Sequence, residues 1–202
     1  KVESEQDGVL LIEHVANDGV FSANAWAELG TATAKLHAQQ GEAYGWPVDY
    51  QLRSVALDNR PGSDWPRFWA EQRLVATAGL LDRPWRERVE ALAARLAELL
   101  PAKPAPSLLH GDLWSGNLLV AGGELAALID PACYHGHAEV DLAMLTLFDT
   151  PPPTFWEAYG ELDCDWEERR IVYHLFPALV HLRLFGNSYA LMVDRLLTAI
   201  GC

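Results

Sequence analysis

The stretch His110-Gly111-Asp112-Leu113-Trp114-Ser115-Gly116-Asn117, followed after an apolar interval by Asp130-Pro131-Ala132, decides how the rest of the chain is read. Gly111-Asp112 alone would be only a good turn. Asn117, however, stands five residues after Asp112, and the interval to Asp130 has a pattern of its own. Leu118 to Val120 and Leu125 to Ile129 flank the turn Ala121-Gly122-Gly123-Glu124, which predicts a hairpin returning Asp130 to the edge that carries Asp112. Immediately upstream, Ser107 to His110 reads as a short strand, and beyond Val140 the chain reads as mainly helical, with a break at Pro151-Pro152-Pro153.

Further from this centre, Trp26, Leu29, Thr33 and Leu36 recur at helical spacing and predict a helix over Ser22–Gln40. Residues 41–64 hold Gly41, Gly45, Pro47, Pro61 and Gly62 without a sustained period and read as a long loop. Asp64 is an expected N-cap, with Pro66 in the first turn that follows. Asp82 and Pro84 open a helix whose apolar face runs through Leu92, Leu96 and Leu99 to Pro101. The run Val9-Leu10-Leu11-Ile12 suits a buried strand with no partner nearby in sequence.

The chemistry of the central stretch follows from its residue types. A His-x-Asp loop with Asn five residues beyond the Asp is the pattern of a kinase catalytic loop. Asp112 would accept the proton of an attacking hydroxyl, while Asn117 and Asp130 offer hard oxygen ligands to a Mg²⁺ ion on nucleotide phosphates. Trp114, between base and ligand, could stack on a sugar or its amine substituent, or simply pack on the helical body.

Together with Tyr134-His135-Gly136-His137 and Glu139-Val140-Asp141-Leu142-Ala143-Met144, this region resembles the fructosamine kinase (ketosamine-3-kinase) family, a branch of the aminoglycoside-phosphotransferase-like kinases. The resemblance extends to Trp65–Leu74, Phe155–Tyr159, Glu167–Arg170 and Leu184–Tyr189. It implies an α+β, predominantly α, protein-kinase-like fold. Residues 1–16 would be a remnant of the small lobe and hinge, and residues 17–202 the helical large lobe with the catalytic loop. It further implies transfer of the ATP γ-phosphoryl group, with Mg²⁺, to the 3-hydroxyl of a ketosamine, free or on a glycated protein. The unstable product would release its amine, so the pathway reads as deglycation repair. By position, Asp112 is the base, Asn117 and Asp130 the metal ligands, and His110 and Asp141 the supports of the catalytic loop. Glu13-His14-Val15 is the hinge, where the Glu13 carbonyl and the Val15 amide would face adenine.

Departures from the family are as informative. Its phosphate-covering loop and small-lobe lysine lie upstream of the hinge strand; only eight residues precede Val9, with Lys1 too near the hinge, so most of the small lobe is expected to be absent from this chain. A lost lobe would leave an edge prone to self-association. The family pattern Asp-Asn-x-Ile-Gly stands here as Asp49-Tyr50-Gln51-Leu52-Arg53, Gln-x-Asn as Leu57-Asp58-Asn59, and Phe-Gly-Gly as Phe148-Asp149-Thr150. The altered 49–59 segment leaves open a different small hydroxyl acceptor, such as an aminoglycoside or choline, and the absent lobe leaves open a non-catalytic interaction module.

Composition narrows the remaining classes. With 15 basic and 28 acidic residues the net charge is −13, which argues against nucleic acid as a partner. Apolar runs are too short to cross a bilayer, and three scattered cysteines suggest a reducing, cytoplasmic setting. His135-x-His137 lacks a third ligand at zinc spacing, and His174 and His181 read as core or solvent-facing residues of one helical face. Cys133 reads as packing, and so do Trp26, Trp69, Trp85 and Trp156.

Overall fold

The computed structural model describes residues 2–6, 9–79 and 81–202, so Lys1, weighed above as a small-lobe lysine, lies outside the described residues. Strands β1 (Val2–Gln6) and β2 (Val9–Ile12) pair antiparallel, from Gln6 opposite Val9 to Val2 opposite Ile12. This corrects the expectation of a buried strand without a local partner: β1 is the partner, and every residue of both strands is exposed, because a two-stranded ribbon leaves both faces open unless another layer covers it.

An extended segment, 13–20, then runs beside the later β6 (Leu118–Ala121). The Asp18 amide donates to the Val120 carbonyl at 2.9 Å, while the Asn17 and Asp18 side chains accept the Val120 and Gly122 amides. Helix α1 (Ala23–His37) starts where the Ser22 hydroxyl caps the Ala25 amide at 3.0 Å. It stops short of Gln40, with its last carbonyls taken up by the Ala38 and Gln39 amides.

The 41–64 segment is not wholly a loop. Strands β3 (Tyr50–Leu52) and β4 (Val55–Leu57) form a hairpin whose two-residue turn is Arg53-Ser54. Such short strands show no readable period, and the turn lacks the usual glycine signal. Asp64 caps α2 (Trp65–Phe68), accepting the Arg67 amide at 2.8 Å. The helix continues as wide π turns over Trp69–Val75 into α3 (Ala76–Ala78). Helix α4 (Arg83–Ala93) and α5 (Leu96–Leu99) replace the single helix expected up to Pro101. The break comes where the Arg95 amide tightens onto the Leu92 carbonyl, three residues back, at 2.9 Å.

Strand β5 (Ser107–Leu109) pairs with β8 (Tyr134–Gly136), a partner not evident in sequence, while β6 pairs with β7 (Glu124–Leu128) as the expected hairpin. Four helices complete the chain: α6 (Glu139–Phe148), α7 (Pro153–Tyr159), α8 (Trp166–Phe185) and α9 (Ala190–Ile200). Among the described residues no helix is long and apolar enough to cross a membrane.

Helix α8 is the axis of the core. Its Tyr173 hydroxyl accepts from Trp65 Nε1 at 2.9 Å and meets His137 Nδ1 at 2.8 Å, tying α2, α8 and the end of β8 together. Burial pushes the His137 pKa down to about 3, helped by the Arg169 charge, so this imidazole is a neutral core group. Arg169 in turn forks onto Glu139 at 2.6 and 2.8 Å, both buried, which locks the start of α6 to α8. His135 instead packs its ring on Trp46 at 5.3 Å. His174 is half-buried, pairs with the Thr146 hydroxyl at 3.0 Å, and has its pKa lowered to about 4, chiefly by burial. Trp69 is fully buried, and Trp26, Trp85 and Trp156 pack against the same core from partly exposed positions.

Candidate active site

Asp141 is the lowest layer of the site. One turn into α6 and fully buried, it accepts the His110 amide on Oδ2 at 2.7 Å and the Gly111 amide on Oδ1 at 2.9 Å. His37, at the end of α1, adds a third contact that sequence reasoning missed: its Nε2 lies 3.1 Å from Asp141 Oδ2, and its Nδ1 2.9 Å from the Tyr159 hydroxyl. Nothing local marks His37, because the aspartate it meets lies 104 residues away.

Gly111 turns the loop. Its φ is +80°, and a Cβ there would sit 2.1 Å from the Ala132 carbonyl oxygen. Only glycine lets the loop and the 130–132 segment lie this close. The Ala132 amide completes the junction by donating to the His110 carbonyl at 2.8 Å, and His110 Nδ1 faces the Asp112 amide at 3.3 Å.

Above this layer, Asn117 Nδ2 donates to both the backbone carbonyl and Oδ2 of Asp112, each at 2.8 Å. That leaves Asn117 Oδ1 as the acceptor not spent on Asp112. Burial raises the Asp112 pKa above the usual carboxylate range; Asp141 adds to the rise, and the Asn117 bond and the His110 and His181 charges oppose it. Asp130 is exposed and adopts φ +50°, a left-handed conformation rare without glycine. It is held on both sides, by the Ile129 amide on the Asn117 carbonyl at 3.0 Å and by the Ala132 junction. Asp112, Asn117, Asp130, His110 and Asp141 thus belong to one connected constellation. Glu13 is exposed and Val15 half-buried on the 13–20 segment, away from the residues lining the cleft described next.

Asp112 opens into a cleft of about 370 Å³ between the β3–β4 turn and α8. Its walls are largely apolar, with Val140, Met144, Phe176 and Val180 among them. Trp114 lines it too, 36% exposed, with its ring 5.9 Å from Phe148 and its indole over Gly116, where a Cβ would sit 2.3 Å from the ring. The Asp149 that replaces a family glycine accepts the Ser115 amide at 2.9 Å and pins this end of the loop. Arg53 and His181 line the cleft as well, the first read in sequence only as a departure from the family pattern and the second only as a residue of a helical face. His181 donates Nδ1 to the Pro177 carbonyl at 2.8 Å and packs its ring, tilted, against Phe148, Phe185 and Tyr189.

Comparison with known proteins gives the class, a kinase-like phosphotransferase. The solved structure of a Thermobifida fusca protein assigned as a fructosamine-3-kinase superposes with a TM-score of 0.90 at 32% identity, covering 99% of this chain and 72% of that one. The gentamicin-APH(2'')-IIa complex, at 16% identity and a TM-score of 0.60, shares the fold. In sequence, the "Probable ketoamine kinase YniA" of Escherichia coli strain K12 is 38% identical over 212 residues, covering 98% of this chain and 73% of the relative. The "Probable ketoamine kinase" of Lactiplantibacillus plantarum is 36% identical over 201 residues, covering 95% and 70%. The fructosamine kinase family profile matches residues 2–200, and the chain belongs to the fructosamine kinase family.

Proposed function

We propose that the protein transfers the γ-phosphoryl group of ATP to the 3-hydroxyl of a ketosamine, with Asp112 as the base that takes the hydroxyl proton. The observation that carries this reading is a carboxylate of raised pKa, fixed by Asn117 and opening into an apolar cleft, within a chain of the fructosamine kinase family. The sugar oxygen forms its bond to the γ-phosphorus as the β–γ bridging bond breaks; ADP leaves, and the proton passes to Asp112. The phosphorylated ketosamine is labile and sheds its amine, which gives the reaction its sense as deglycation repair. Trp114, on the cleft wall, would bear on the sugar face.

A divalent cation would suit the oxygen donors of Asn117 and Asp130. Asn117 Oδ1 is unspent on Asp112, and Asp130 offers an exposed carboxylate whose backbone is held from both sides. When bound, Mg²⁺ would neutralise phosphate charge. His110 and Asp141 act through the loop backbone, and Asp141 receives His37 from behind. In this reading residues 1–16 form the hinge side, with the Glu13 carbonyl and Val15 amide toward adenine, and residues 17–202 the large lobe.

The direct test is ADP release by the intact protein on a fructosamine or ribulosamine, with phosphate placed on the product by NMR. Asp130→Ala is expected to weaken nucleotide binding about tenfold or more with Mg²⁺ present and to have little effect without it. Titration calorimetry in the two conditions checks this; equal losses in both would remove Asp130 from the metal site.

A further inference from the structure

The cleft carries an unpaired cation at its rim. Arg53 is the first residue of the two-residue β3–β4 turn, at φ +53°, where a glycine would sit without strain. Its guanidinium lies 5.7 Å from the centroid of the ring of Phe185, another residue lining the cleft, and among the described residues no carboxylate is paired with it. Every other arginine that touches an aromatic ring within the described residues also has an oxygen partner: Arg73 on Asp58 and Asn59, Arg88 on Asp194, Arg170 on Glu167. Within the cleft the other titratable side chains are Asp112, His181 and the buried Tyr134 phenol, and His181 spends Nδ1 on the Pro177 carbonyl.

The pocket is therefore asymmetric: a proton-accepting carboxylate at its floor, apolar and aromatic walls, and a guanidinium fork at its rim. We infer that the acceptor is the ketosamine of a free amino acid, with its sugar hydroxyl at Asp112 and its α-carboxylate held by Arg53. This rests on the phosphotransferase reading and specifies its substrate. The fork matches a planar carboxylate with two parallel hydrogen bonds. The amino-acid side chain lies between them against the apolar wall. A glycated lysine inside a protein has its carboxyl group locked in a peptide bond and gains nothing from Arg53. An aminoglycoside brings only further positive charge to it.

The test compares a ribulosamine of valine with the same compound as its carboxamide, in kinetics and in titration calorimetry on the intact protein. Wild type is expected to favour the carboxylate about tenfold in kcat/KM and in Kd. Arg53→Gly, which suits the left-handed backbone and does not threaten the fold, should abolish that preference through KM. The carboxamide, which offers Arg53 no charge, should lose far less than the carboxylate, and Arg53→Lys should retain part of the preference. Equal constants for the two compounds in wild type, with both turned over, would overturn the role of Arg53 and leave the kinase reading intact. Carboxylate-selective binding without turnover of either would remove the kinase reading and leave Arg53 as an anion site. Absence of both binding and turnover would overturn both.

Discussion

Asp112→Asn is expected to lower kcat on a ketosamine by about 10²–10⁴-fold while Mg-ATP binding stays within about twofold. Asparagine keeps the size of the side chain, and its amide oxygen can still accept from Asn117 Nδ2, so the substitution removes only the carboxylate proposed as the base. The wild-type pH profile supplies an independent reading of the same residue. A base works only when ionised, and burial raises the Asp112 pKa, so the acid limb of kcat/KM should lie above the ordinary carboxylate range near pH 4. Wild-type turnover by the variant, or an acid limb at or below that range, would take the proton-accepting role away from Asp112.

Gly111→Ala should be the most damaging of the small substitutions. The added methyl meets the Ala132 carbonyl oxygen at 2.1 Å, and φ of +80° penalises any L side chain. Neither strain can be relieved by a rotamer change, because both partners are backbone. The strain is roughly 2–3 kcal/mol, which for a chain of this length lowers the unfolding midpoint by about 5 °C or more. Any escape moves Asp112 against Asp130, so kcat/KM should fall about a hundredfold as well. Melting and kinetic curves that overlay on wild type would show that the junction between His110 and Ala132 is softer than its geometry implies.

How much of this was legible in sequence depended on distance along the chain. Ser22 and Asp64 announce their helices because a cap acts on an amide three residues away, and the β6–β7 hairpin is marked by its own glycines. Asp112, Asn117 and Asp130 could be related to one another from sequence because only a short loop and one hairpin separate them. The β3–β4 hairpin was hidden because its turn begins with arginine in the conformation that usually reveals itself as glycine. β8 was hidden because it pairs with β5, across the whole catalytic loop and hairpin. His37 and His181 were misplaced or missed for the same reason: helical periodicity tells which face a residue occupies, not which loop arrives there from far along the chain.

Arg53 and Asp130 are the non-glycine residues at positive φ among the described residues, one lining the cleft and the other following the β6–β7 hairpin. At each, a glycine would fold with less resistance, and at each the chain keeps a charged side chain instead. The two positions therefore mark a compromise between endurance and purpose. Glycine at either should leave the protein as heat-resistant as before or more so, by about 1 kcal/mol at most, while costing it a handle on substrate or metal. A selection for thermal robustness alone would erode these two residues first, and a selection for turnover would restore them.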